Sequence, residues 1–151
     1  MDRFTATAQT EATPEQLLEV LTHPQEIRRW SPVPFDVDDL DERRLAAGTR
    51  TKVTGSLAGF PVSFDVEVRA ADTGRLELSA DGPIGLDVRY DLAPADTGAE
   101  MTASVSVRRG GGISGRVVAK AATALLSAGA LDGATGRIVR AAESRVYATA
   151  A

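Results

Sequence analysis

With 151 residues the chain has the length of one domain, and a domain of this size buries roughly 68–70% of its unfolded surface without cross-links. Cysteine is absent, which excludes disulfides, thiolate nucleophiles and zinc–thiolate sites. The net charge of −4, from 17 basic and 21 acidic residues, has the wrong sign for a dedicated nucleic-acid binder.

The basic residues are almost all Arg, with Lys52 and Lys120 the two lysines, a bias that goes with abundant Ala and Gly in GC-rich bacterial genomes. The first residues, Met1–Thr5, lack the apolar core of a signal peptide, and no run of about 18 apolar residues occurs. No membrane span is therefore expected, and a cytoplasmic location is the default.

In chain order, Arg3 to Gln9 alternates as a first strand with Phe4, Ala6 and Ala8 on one face. Thr13 then reads as an N-cap, with Pro14 at the first helical position and Gln16 at capping-box spacing, ahead of the apolar stripe Leu17, Leu18, Leu21. His23-Pro24 ends that helix, because a residue before proline is driven out of the helical region. Pro24 can open a second short helix through Arg29, which Trp30-Ser31-Pro32 stops.

From Val33 the period is two. Val33, Phe35 and Val37 alternate with polar neighbours, and Thr49 to Leu57 alternates less cleanly. After a hairpin at Gly59 and Pro61 comes the clearest half-buried strand, with Val62, Phe64, Val66 and Val68 on one side and Ser63, Asp65, Glu67 and Arg69 on the other. Turns at Asp72-Thr73-Gly74, Asp81-Gly82-Pro83 and Pro94 to Gly98 separate three more strands with inward Leu76 and Leu78, then Leu86, Val88, Tyr90 and Leu92, then Met101, Ala103, Val105 and Val107. Short connections imply antiparallel pairing, with one apolar and one solvated face. Beyond Gly110-Gly111-Gly112 the apolar period becomes helical from about Ile113 to Tyr147; Gly129, Gly133 and Gly136 inside it point to a kink or a close approach to the sheet.

The expected fold is therefore α+β, a single domain over residues 1–151. A curved seven-stranded antiparallel sheet surrounds a long C-terminal helix, with two short helices after strand 1. The segment Ala12-Thr13-Pro14-Glu15-Gln16-Leu17-Leu18-Glu19-Val20-Leu21-Thr22-His23-Pro24 followed by Trp30, Gly48 before the third strand, Tyr90-Asp91-Leu92-Ala93-Pro94 followed by Gly98, and the final helix resemble the START-like or helix-grip (SRPBCC) superfamily, of the polyketide cyclase/dehydrase and lipid-transport type. The likeness spans nearly the whole chain but rests on turns and packing rather than chemistry. His23 departs from it, since an Asp usually precedes that proline, and leaves the second helix less well capped. The resemblance implies a cavity between sheet and terminal helix that takes lipids, polyketides, hormones or other hydrophobic molecules, with or without catalysis.

Several motifs are weaker than they look. Gly110-x-Gly112-x-x-Gly115 lies between a strand and a helix, but no second parallel strand follows, so it reads as a flexible connection. The acidic run Asp36, Asp38, Asp39, Asp41, Glu42 lacks the glycine and the bidentate Glu of a calcium loop. His23 is the single histidine, so a His-based metal triad cannot form within one chain. No cofactor or metal is expected.

The candidate ligand-binding residues are Trp30, Phe35, Phe60, Phe64, Tyr90, Met101 and Ala103, with Leu125 from the helix. Tyr90, and more weakly Thr51, set how polar the cavity can be. The favoured function is non-catalytic binding of a small hydrophobic molecule, lipid- or polyketide-like, which needs volume, apolar lining and one or two polar anchors. The alternative is a polyketide aromatase/cyclase-like enzyme, which needs positioned acids and bases; its candidates are Tyr90 and, if a bulge turned either inward, Arg50 or Arg89. A protein-interaction module ranks last, because the outward strand faces are polar.

Overall fold

The computed structural model describes residues 2–31, 35–38, 45–57, 60–108 and 112–150. Strand β1 (Asp2–Thr10) is followed by helices α1 (Pro14–Thr22) and α2 (Pro24–Trp30). Strands β2 (Phe35–Asp38), β3 (Arg50–Leu57), β4 (Phe60–Ala71), β5 (Arg75–Asp81), β6 (Gly85–Ala95) and β7 (Gly98–Arg108) come next, then helices α3 (Gly112–Ser127) and α4 (Ala130–Ala150). The strands form one curved, open antiparallel sheet in the order β1-β7-β6-β5-β4-β3-β2. Six of them run seven to twelve residues, and the four-residue β2 extends the free edge beyond β3.

Local chemistry explains the N-terminal elements. The Thr13 hydroxyl accepts from the Gln16 N–H at 3.2 Å and the Gln16 side chain accepts from the Thr13 N–H at 2.8 Å, a complete capping box, worth about 1 kcal/mol. His23 ends α1 in extended conformation and begins α2 with no side-chain cap. Its Nδ1 is buried without a hydrogen-bond partner.

The register carries the alternation into space. Val105, Val88, Leu78 and Val68 stand side by side across β7, β6, β5 and β4, and Ala103, Tyr90 and Leu76 form the adjoining row. A bulge between Val68 and Ala70 leaves Arg69 exposed and unpaired in the register. On the outer face, Arg50 pairs with Glu67 at 3.0 Å, Arg89 with Asp91 at 2.9 Å, and Arg108 with Asp87 at 2.9 Å.

The single terminal helix expected from Ile113 to Tyr147 is instead two. The axes of α3 and α4 diverge by 59°, and Gly129 between them takes φ +95°, a left-handed conformation that glycine adopts without a Cβ penalty. The physical reason is packing. α4 lies along α1, α2 and β1, where Leu17, Val20, Leu21, Ile138, Ala142, Met101 and Ala103 make the main core; α3 swings to the other side, where Val118 and Ala122 meet Val62, Phe64, Ile84 and Val107. Glu143 fastens α4 to the first strand, accepting from the Thr10 hydroxyl at 2.9 Å and the Glu11 N–H at 3.3 Å. No single helix among the described residues is long and apolar enough to cross a membrane.

Candidate functional site

Where the two core clusters meet, beneath the bend between α3 and α4, the fold leaves a cavity of about 300 Å³. Its floor is the inner sheet face: Val53 and Gly55 of β3, Val62 and Phe64 of β4, Leu78 of β5, Leu86, Val88 and Tyr90 of β6, and Val105 of β7. Its roof is Ala122, Leu125 and Leu126 of α3 with Ala130, Leu131 and Ala134 of α4. Trp30 and Ser31 close the α2 end.

The position of Trp30 is fixed by three contacts. Its indole Nε1–H donates to the Val20 carbonyl at 3.1 Å, its own carbonyl accepts from Arg137 Nε at 2.9 Å, and its ring meets Tyr90 edge to face with centroids 6.2 Å apart. Together these join α1, α2, α4 and β6 at one wall of the cavity, and the aromatic pair adds about 0.5–1.5 kcal/mol beyond burial.

Tyr90 sets the electrostatics. It is 4% exposed, its hydroxyl has no hydrogen-bond partner among the described residues, and burial raises its pKa well above the ordinary tyrosine value. The phenol therefore stays protonated at every physiological pH and faces an apolar space as a free donor. It is the one ionisable side chain among the described residues of the lining. No group of three His, Asp or Glu side chains converges as a metal site among the described residues.

Of the residues picked from the sequence, Trp30, Phe64, Tyr90 and Leu125 come together around this space. Met101 and Ala103 do not: both are fully buried in solid packing, Met101 beside Ala8 and Leu92 and Ala103 beside Ala6 and Tyr90, at the end of the sheet that α1 and α4 cover. The side chains of Phe35 and Phe60, like those of the acidic run from Asp36, lie outside the described residues. Thr51 is not part of the lining. Arg50 and Arg89 point outward into their ion pairs, because the bulge falls at Arg69 and turns neither of them inward. Of the roof, sequence reasoning picked Leu125 and missed Ala122, Leu126, Ala130, Leu131 and Ala134, for which the signal was Gly129, which breaks the apolar helix above the site; on the floor it read Val62, Leu78, Leu86, Val88 and Val105 as inward strand positions without assigning them to the site.

A family model described as polyketide cyclase/dehydrase and lipid transport matches residues 1–143. No curated protein matches the chain in sequence. Among solved structures, the protein MLL2253 from Mesorhizobium loti is 19% identical with a TM-score of 0.65, covering 95% of this chain and 98% of that one. TTHA0849 from Thermus thermophilus is 14% identical with a TM-score of 0.69, covering 95% and 99%. DynU16, a protein in the dynemicin biosynthetic locus, is 22% identical with a TM-score of 0.61 over 95% of this chain and 48% of that one. These likenesses concern the fold.

Proposed function

Because the chain belongs to the polyketide cyclase/dehydrase and lipid-transport family, we propose that it binds a small, neutral hydrophobic molecule in the cavity beneath the α3–α4 bend, without transforming it. The observation that carries this reading is a lining that is apolar except for one unpartnered phenol and Ser31. A ligand's carboxylate or ammonium would enter that space with no opposite charge and pay its desolvation in full. A carbonyl or ether oxygen placed at Tyr90 would accept the free O–H, while the rest of the ligand displaces water from Val88, Leu78, Val105 and Leu125.

Catalysis of a polyketide cyclisation is less well supported. Enolisation needs a base, and a tyrosine whose pKa is pushed upward is a donor rather than a base. No Asp, Glu, His or Lys is present among the described lining residues to take that role.

Titration with naphthalene derivatives tests the reading. We expect 1-naphthaldehyde to bind more tightly than naphthalene, and 1-naphthoate to bind least. Binding of 1-naphthoate equal to or tighter than the aldehyde would mean that a cation reaches the site, and would overturn it.

A further inference from the structure

The exposed face of α3 carries a surface that cavity binding does not use. Ile113 is 82% exposed and Val117 is 38% exposed; among the described residues they are the large hydrophobic side chains left in solvent. They stand one helical turn apart, and Arg116 and Lys120 share their face, opposite the buried Gly115, Val118 and Ala122. Neither Arg116 nor Lys120 has an acidic partner among the described residues. The sequence reinforces the pattern. From Met101 to Leu131 there is no Asp or Glu at all, although the chain holds 21 of them, and the same stretch contains Arg108, Arg109, Arg116 and Lys120. A chain with net charge −4 thus keeps one segment free of acid, at the place where its apolar side chains are exposed.

We propose that this face of α3 docks on an anionic lipid surface. Ile113 and Val117 enter the headgroup boundary while Arg116 and Lys120 lie against lipid phosphates and acidic headgroups, the arrangement of an interfacial helix. The charge selects the partner. A neutral protein surface would leave the two cations uncompensated, and a second copy of this chain would set like charges against each other. The opposite face of the same helix supplies Ala122, Leu125 and Leu126 to the cavity roof. Docking therefore brings a bilayer against the outside of the wall whose inside faces the apolar space. The helix also begins at Gly112 with φ +78° in open space, a joint at which glycine turns the chain without strain.

The test is vesicle flotation of the intact chain with phosphatidylcholine alone and with phosphatidylcholine containing a third of phosphatidylglycerol. We expect binding to the anionic vesicles at low salt, loss of most of it when salt shortens the screening length to about 3–5 Å, and little binding to pure phosphatidylcholine. Arg116→Gln with Lys120→Gln should weaken partitioning about thirtyfold, given the contribution of each basic side chain near such a surface. Ile113→Asp should abolish binding while leaving circular dichroism unchanged, and the charge-matched Arg50→Gln with Lys52→Gln on the outer sheet face should bind like the parent. Equal binding by the α3 and the sheet variants, or no binding to anionic vesicles, would overturn the proposal. So would a concentration-dependent dimer that Ile113→Asp dissolves, which would give this face to a second copy.

Discussion

Tyr90→Phe separates a ligand-facing hydroxyl from one that holds the fold together, because the two roles give opposite signs. A tyrosine hydroxyl bonded within a protein loses about 0.5–1.5 kcal/mol of stability on removal. Here the ring is buried and the hydroxyl, at the cavity wall, has no partner among the described residues; cut off from water as well, such a group would cost about 1–3 kcal/mol relative to a satisfied one. Water entering the 300 Å³ cavity recovers part of that cost. We therefore expect the ligand-free variant to be between unchanged and about 1 kcal/mol more stable, a rise of up to about 2–4 °C in melting temperature at this chain length. The same substitution should weaken a carbonyl ligand by about 0.5–1.5 kcal/mol, or roughly two- to twelvefold in Kd. Urea denaturation gives the first quantity and calorimetric titration of 1-naphthaldehyde the second. A ligand-free variant less stable than the parent by more than about 0.5 kcal/mol would show the hydroxyl to be bonded inside the protein and refute the reasoning.

Tyr90 also predicts an alkaline limit. With its pKa raised by burial, folded and unfolded states are both protonated below about pH 10; above it the unfolded chain loses the proton first. Stability should thus fall as pH rises beyond about 10, and Tyr90→Phe should flatten that fall in denaturant midpoints measured across the range. Phe64→Ala should destabilise by about 3 kcal/mol, the low end for a buried aromatic because the side chain already borders open space, whereas Asp65→Ala should stay within about 0.5 kcal/mol; equal midpoints would reverse the assigned faces. Gly129→Ala forces a Cβ into the left-handed conformation and should cost about 1–2 kcal/mol, read from thermal unfolding. Since Trp30 is the single tryptophan and borders the cavity, ligand uptake should shift or quench its emission; uptake without any change in that emission would place the ligand elsewhere.

Much of the architecture was legible because local chemistry and period agree in this chain. The Thr13–Gln16 capping box, the strict alternation in β4 and the turns at Asp72 and Gly98 each name one solution. The inward faces were legible too, but which stretch of an inward face borders a cavity was not. Met101, Ala103 and Val105 have the same period-2 signature, yet Met101 and Ala103 lie under α1 and α4 while Val105 faces the open space. What divides them is the direction of the terminal helices, fixed by the turn at Gly129. The glycines at 129, 133 and 136 pointed to a kink or a close approach without deciding between them, and the helical periodicity, unbroken through Gly129, does not encode the 59° bend. Tyr90 was recognisable as the polar member of an apolar row, but the lack of a partner for its hydroxyl is a property of the packed structure alone.

The most direct measurement is native mass spectrometry of the gently purified protein beside Ala122→Phe, a substitution in the cavity roof. An engineered cavity of about 150 Å³ accommodates benzene, so the added ring takes up about half of the 300 Å³ available here. We expect the parent to carry, or to take up from N-phenyl-1-naphthylamine, one neutral organic molecule per chain, and the folded Ala122→Phe protein to carry none. A parent with no adduct and no saturable uptake of that fluorophore, or a folded Ala122→Phe protein that binds it unchanged, would contradict the assignment of this cavity as a binding site.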